Sequence, residues 1–259
     1  PTDLTRREPA DATRLAEALE AEILPGGSLR TWRRGELSSW PGFEEGSWWV
    51  QDAAAAVPAR VLAPGLGETV LDLCAAPGGK TLQLASAGAA VVALDRSAVR
   101  LRRLSENLAR MGLSAEVVVA EGAEWDDPRA FDAVLLDAPC TATGTFRRHP
   151  DVVWGARPPE VPKLAAVQAR LLDAAADRVK RGGRLVYCVC SLEPEEGEAQ
   201  ATAFLKRRPD FVTHPIEPRE VGAPAAALTP EGWLRLLPSF QEPPGGMDGF
   251  FIARFDRTA

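Results

Sequence analysis

The sequence predicts an α/β protein. The expected core is a doubly wound, mostly parallel sheet, closed by an antiparallel C-terminal strand pair and preceded by a small N-terminal α+β subdomain over residues 1–47. Three observations predict it. From residue 68 onward, short apolar runs alternate with amphipathic stretches, the signature of βαβ units with right-handed crossovers. Two late apolar runs, WLRLLP (233–238) and GFFIARF (249–255), follow one another with no helical pattern between them. Residues 1–47 give only mixed signals and stand apart from that regular pattern.

The elements follow in order. Thr13 to Glu22 reads as a helix and Ser28 to Arg33 as a short strand, with LSSWPGFEEG as loop. GSWWVQDAAAAVPARVLA reads as a loop entering a helix that stops before Pro64-Gly65, where proline and glycine end the pattern. ETVLDL (68–73) is a buried strand, and CAAPGGKT opens a helix running to about Ala87. AAVVALD (89–95) is the next strand. Ala98 to Met111 carries Leu101, Leu104 and Leu108 on one helical face. AEVVVA (115–120) and FDAVLLD (131–137) are strands three and four. A helix over about 160–179 leads to GRLVYCV (183–189), the fifth strand, and Glu195 to Arg207 is helical.

Composition narrows the class. A chain of 259 residues holds one large α/β domain, or a domain with an appendage. With 46% hydrophobic and 25% charged residues, wholesale disorder is excluded. The longest apolar runs fall far short of the ~20 residues a membrane span needs, and no secretory signal pattern opens the chain. A soluble, cytoplasmic protein is expected, and Pro1 in place of Met is expected of a processed or trimmed N-terminus. The net charge of −6 argues against a protein that coats nucleic acid non-specifically. Residues 141–184, however, hold nine basic side chains against four acidic ones (Arg147, Arg148, Arg157, Lys163, Arg170, Arg178, Lys180, Arg181 and Arg184 against Asp151, Glu160, Asp173 and Asp177), a local basic excess.

Four cysteines, Cys74, Cys140, Cys188 and Cys190, are too few and too oddly spaced for a disulfide framework, and with only two histidines they form no structural zinc pattern. Their positions are informative. Doubly wound sheets bind ligands outside the carboxyl ends of the strands, and those ends carry Leu73-Cys74, Asp95, Asp137-Ala138-Pro139-Cys140 and Cys188-Val189-Cys190.

CAAPGGKT is not a phosphate-binding P-loop, because Cys74 stands where that pattern needs its first glycine. Nor is it G-x-G-x-x-G. Residues Ala75 to Gly79 still let a ligand lie against backbone at a helix N-terminus. Asp95, 16 residues beyond Gly79, ends the next strand where a carboxylate accepts from ribose hydroxyls. A nucleoside ligand without a bound triphosphate suggests S-adenosylmethionine, ahead of an NAD-like cofactor or a plain structural turn.

Taken together, VLDLCAAPGGKT, LLDAPCTATGTFRRHPDVVW and YCVCSLEPEEGE resemble the signatures of the Sun/Fmu (RsmB) and NOL/NOP RNA cytosine-5 methyltransferases, over about Trp48 to Phe255. The flanking WWVQDAAA and GGMDGFFIARF are similar to that family too, and RRHPD leans towards its RsmB branch, which modifies small-subunit ribosomal RNA. The resemblance implies a Rossmann-like class I methyltransferase domain over 48–259, with S-adenosyl-L-methionine as cofactor and RNA as partner. It implies that residues 1–47 are a small RNA-contacting subdomain; the RsmB branch usually carries a further helical RNA-binding domain upstream.

Cytosine C5 is a poor nucleophile, and a thiolate adding to C6 makes C5 enamine-like; loss of the C5 proton later expels the thiolate. By resemblance Cys190 is the nucleophile, Cys140 the second cysteine that helps release the product, and Asp137 the acid facing N3, with a pKa raised by burial or by the base. The cofactor-binding set implied is Cys74, Ala75, Ala76, Pro77, Gly78, Gly79, Lys80, Asp95, Arg100 and Asp137. A free thiol is only about 3% ionised at neutral pH, so Cys190 needs activation, with Lys80 and Arg147 as candidate cationic neighbours. No metal is implied. Asp72 is placed to orient the glycine loop or the cofactor amine. Cys74 and Cys188 read as packed core thiols, Trp48 and Trp49 as core rather than RNA-stacking residues, and His149 as a residue that orders its loop or touches phosphate.

Ala123 stands where the family presents an aspartate to the adenine amino group, with Glu121 or Glu124 as stand-ins. Val189 and Gly197 replace the usual Thr and Asn without removing a reacting group. Two rival readings fit the same residues: a cytosine methyltransferase in which Cys140 attacks, and a non-catalytic RNA-binding ribosome-assembly factor on the same fold.

Overall fold

The computed structural model describes residues 1–155, 160–240 and 245–259; Arg157 of the basic segment lies outside them. Strands β1 (Thr2–Arg6), β2 (Ala21–Ile23), β3 (Leu29–Thr31) and β4 (Trp48–Val50), with helix α1 (Ala12–Leu19), form an antiparallel N-terminal sheet in the order β2-β3-β1-β4. Asp11 caps α1, accepting from the backbone N–H groups of Thr13 (3.0 Å) and Arg14 (3.1 Å). The helix stops at Leu19 rather than Glu22 because Glu20 turns left-handed (φ 52°) and the chain enters β2. Leu15, Ala16 and Leu19 pack with Leu4, Leu29, Trp40 and Trp48.

Strand β1 holds a buried ion pair. Arg30 of β3 grips Asp3 through Nε–Oδ1 (2.6 Å) and Nη2–Oδ2 (2.7 Å), a bidentate arrangement that offsets part of the cost of burying both charges. Trp48 and Trp49 are core residues, 0% and 4% exposed, with indole N–H groups donating to Pro41 O and Gln51 Oε1. The WWV stretch, expected as loop, is therefore the strand that closes the N-terminal sheet, which extends to Val50.

The larger body follows the expected alternation. Helix α2 (Val57–Leu62) precedes β5 (Thr69–Leu73), α3 (Gly79–Ser86), β6 (Ala90–Asp95), α4 (Ala98–Met111), β7 (Glu116–Val119) and β8 (Phe131–Asp137). Then come α5 (Val152–Gly155), α6 (Glu160–Asp177), β9 (Val179–Val189), α7 (Glu198–Arg207), β10 (Phe211–Thr213), β11 (Leu234–Leu236) and β12 (Phe250–Arg257). Strands β9-β8-β5-β6-β7 are parallel, and β12 lies antiparallel between β9 and β10. The expected closing pair is β11 on β12, but β12 also pairs with β9 along its length, with Phe251 opposite Val189 and Ile252 opposite Cys188. This is a Rossmann-like α/β sheet.

Period-two alternation sorts the side chains into two layers. Leu71, Leu136 and Tyr187 pack with α6 and α7 (Leu171, Leu172, Phe204), whereas Val70, Leu135 and Val186 pack with Val57, Val61 and Leu84 of α2 and α3. Each buried leucine contributes about 2 kcal/mol. Among the described residues no helix is long and apolar enough to cross a membrane. The winding reverses between β5 and β8, where β6 and β7 lie to one side and β9 to the other, so the carboxyl ends of β5 and β8 flank the expected ligand crevice.

Candidate active site

Beyond β5 the chain turns sharply. Cys74 adopts a left-handed conformation (φ 65°), and Gly78 sits at φ +108°, where a Cβ would meet Leu104 Cδ1 of α4 at 2.4 Å. A side chain there would collide with the α4 core, so only glycine lets α3 start so close. Asp95, at the end of β6, braces this loop. Its Oδ2 accepts from Ala76 N–H (3.1 Å) and its Oδ1 from Ser97 N–H (2.8 Å), leaving each oxygen a further lone pair. Arg100 of α4 holds the loop from the other side through Ala76 O.

The β8–β9 register sets Asp137 opposite Cys188. The two chains leave the sheet side by side, and Cys140 and Cys190 meet with their sulfur atoms 3.5 Å apart. Cys140 packs against the α6/α7 layer and Cys190 against the opposite layer, so the pair straddles the rim of the sheet. From α3, Lys80 places Nζ 2.8 Å from Asp137 Oδ2, and Cys188 Sγ lies 3.5 Å from Asp137 Oδ1.

Two clefts converge on this cluster. One, of about 220 Å³, is lined by Cys74, Ala76, Asp95, Arg100, Glu121, Asp137, Cys140 and Cys190 among others. The second, of about 430 Å³, is lined by Ala75, Pro77, Gly78, Gly79, Lys80, Arg148, His149 and Phe250, and again by Asp137 and Cys190. The ten loop and strand-end residues expected to hold a cofactor thus divide between two hollows. Asp137 and Cys190 form the boundary. Ala123 and Glu124 do not line the first cleft, whereas Glu121 does.

Burial works to lower the pKa of Lys80, but Asp137, Cys188 and Cys190 outweigh it and hold the ammonium charged. Cys140 is raised well above the usual thiol range by its hydrogen bond to Cys190 and by burial. Burial likewise raises Cys74 and Cys188; Cys188 is the packed core thiol expected, whereas Cys74 is half-buried and lines the first cleft. Asp72 is fully buried and pushed up to about 7 by desolvation; Thr81 Oγ1 donates to its Oδ2 (2.6 Å), and its Oδ1 has no partner.

The basic segment is not one face. Arg147 and Arg148 are tied to two buried acids: Arg147 Nη2 lies 2.7 Å from Asp52 Oδ2, and Arg148 grips Asp248. Burial and the neighbouring Asp248 carboxylate raise Asp52 to about 6. Arg147 is thus engaged with Asp52, whereas the charge of Lys80 acts on Cys188 and Cys190. Lys180 and Arg184 lie at the opening of β9, at the opposite end of the strands from the cysteines, paired with Asp132 and Glu68. Sequence reasoning missed Glu196, fully buried behind the two cysteines, and Arg235, which donates to Ser191 O (2.6 Å) beside Cys190. Nothing in their spacing marks either one out.

Chemically the cluster offers two thiols in contact, a Lys80–Asp137 ion pair beside them, and an adjoining hollow lined with acids.

Comparisons with known proteins bear on the family and the fold. A family described as 16S rRNA methyltransferase RsmB/F matches residues 59–256. Ribosomal RNA small subunit methyltransferase B of Salmonella arizonae is 45% identical over 221 residues, covering 83% of this chain and 48% of the relative. The chain therefore spans about half the length of the curated relatives it matches. A methyltransferase homolog protein from Pyrococcus horikoshii has a similar structure (28% identity, TM-score 0.81, covering 99% of this chain and 86% of that one). So does NSun6 from Pyrococcus horikoshii with SFG (29% identity, TM-score 0.73, covering 90% and 60%).

Proposed function

The chain belongs to the RsmB/F family of 16S rRNA methyltransferases, and from that premise we propose that it methylates C5 of a cytosine in RNA, small-subunit ribosomal RNA being the substrate class, with S-adenosylmethionine as donor. The observation that carries this reading is the pair of thiols in contact where two clefts meet. One cleft suits a nucleoside-bearing donor and the other a base.

The donor fits the first cleft on its chemistry. Asp95 keeps lone pairs for ribose hydroxyls after bracing the loop, and Glu121 supplies the acid that Ala123 lacks. Ala76 and Arg100 shape the wall, and Asp137 closes it. When bound, S-adenosylmethionine supplies the methyl group as an electrophilic sulfonium carbon.

The protein's own residues do the rest. Cys190 adds as thiolate to C6 of a cytosine in the second cleft, which moves electron density to C5. Lys80, held charged beside the thiols, favours that thiolate. Asp137, with Lys80 on Oδ2, faces N3 and holds or shares the proton there. Once C5 carries the methyl group, loss of the C5 proton expels the Cys190 thiolate, and Cys140, 3.5 Å away, assists release. The target base must leave its stack to reach the cleft, so a single-stranded or loop cytosine is the fitting substrate. Residues 1–47 contribute RNA contacts from the N-terminal sheet.

Denaturing gels test the assignment. With substrate RNA and donor, Cys140→Ala should accumulate a covalent RNA adduct and Cys190→Ala should form none. The reverse pattern would make Cys140 the nucleophile. Bisulfite sequencing of RNA from cells with and without the gene then locates the cytosine.

A further inference from the structure

Behind the two cysteines lies a carboxylate with no exposed surface. Glu196 precedes α7, and its two oxygens accept from four donor groups. Thr141 donates its backbone N–H to both oxygens (3.1 and 3.2 Å) and its hydroxyl to Oε2 (2.5 Å). Ser191 Oγ donates to Oε2 (2.6 Å), and Gln168 Nε2 to Oε1 (3.0 Å). Thr141 follows Cys140 in the chain, and Ser191 follows Cys190. One carboxylate therefore ties together the residues that succeed the two thiols. Gln168 also donates to Pro139 O (2.9 Å), on the other side of Cys140, and Tyr187 OH fixes the backbone of Glu196 itself by donating to its carbonyl (2.5 Å).

We propose that Glu196 is a positioning residue that sets the spacing of Cys140 and Cys190. This rests on the reading in which Cys190 attacks and Cys140 releases. A buried carboxylate is costly to desolvate, and apolar packing of the same volume would often stabilise the protein as well. What the carboxylate adds is direction. It accepts from both loops at once and gives each hydroxyl one favoured orientation. Geometry of this kind matters at a nucleophile, since a 1 Å displacement costs on the order of a hundredfold in rate. Glu196 holds the two thiols through the Thr141 and Ser191 residues it binds, and its charge adds to the rise in the Cys140 pKa.

Dibromobimane reads the spacing directly, because it fluoresces only after two nearby thiols have each displaced one bromide. In the full-length chain it should link Cys140 to Cys190, a link absent from Cys140→Ser and Cys190→Ser. Glu196→Gln preserves volume but sets an amide N–H₂ against Thr141 or Ser191. It should slow the cross-link about fivefold or more while the thermal melt stays cooperative; Glu196→Ala should slow it further. The same variants should lower kcat about ten- to a hundredfold, leave KM for the methyl donor unchanged, and accumulate RNA adduct. Wild-type protein that fails to cross-link, or variants that cross-link at the wild-type rate, would overturn the proposal. A cross-link lost in the variants while wild-type protein methylates no RNA would overturn the methyltransfer reading and leave the spacing role standing.

Discussion

The ammonium of Lys80, on the first turn of α3, rests 2.8 Å from Asp137 Oδ2 at the end of β8, with the Lys80 side chain almost wholly enclosed. Two segments 57 residues apart thus deliver one ion pair to the seam between the clefts.

Lys80→Met should leave Asp137 and the thiols without their cation. Alkylation of Cys190 by iodoacetamide at pH 7.5, measured by mass spectrometry in a Cys140→Ser background, should slow several-fold. Methyl transfer should fall by at least tenfold, since a nearby cation favours the reactive thiolate. Unchanged alkylation would remove Lys80 from the activation of Cys190.

The first cleft selects between two acids. Glu121→Ala should weaken S-adenosylmethionine binding about tenfold in calorimetry, because Glu121 lines the cleft, and a lost charged hydrogen bond is worth about 1.5 kcal/mol. Glu124→Ala should leave the affinity unchanged. The opposite ranking would move the adenine contact to Glu124.

Asp72 gives stability a pH dependence of known sign. Burial raises its pKa to about 7 in the folded protein, against about 3.9 for an unfolded aspartate. The folded state therefore binds the extra proton between those values, and this group's contribution to stability is lost as pH rises from about 4 through 7. Asp72→Asn removes the titration. In thermal melts, its stability relative to wild type should rise between pH 5 and pH 8; a gap that stays constant would refute the assignment.

Gly78→Ala should cost about 2–4 kcal/mol, combining a left-handed backbone with a collision against Leu104. Urea denaturation measures it. In a Leu104→Ala background the same substitution should cost less, since the partner in the collision is gone. Equal costs in both backgrounds would show that backbone strain alone is at work.

Much of this was legible in the sequence, for identifiable reasons. Strand β8 and helix α4 fall where their apolar periods place them, because those patterns are long and unbroken. The cysteines could be assigned to strand ends because parallel strands fix which end faces the ligand. Strand β1 escaped because TDLTR puts a charged residue on its buried face, and only the pairing of Asp3 with Arg30, 27 residues away, makes that tolerable. Strand β10 is three residues long and has no period to read. Arg147 and Arg148 suggested an RNA-facing patch; their engagement with Asp52 and Asp248 each time joins segments about 100 residues apart, which no local pattern reports. Glu196 is one acid among several in PEEGE, and only the fold turns it inward.

The place of β12 bears on when the protein can begin to work. The loop after Cys140 rests on the segment entering this strand: Gly249 N–H donates to Gly144 O (2.8 Å), and Gly144 N–H in turn donates to the Cys190 carbonyl (3.0 Å). A nascent polypeptide that has left the ribosome only as far as residue 240 carries both sulfurs but lacks the strand that seats them. The two thiols should therefore reach their seated arrangement only once residues 250–257 have threaded between two strands already made.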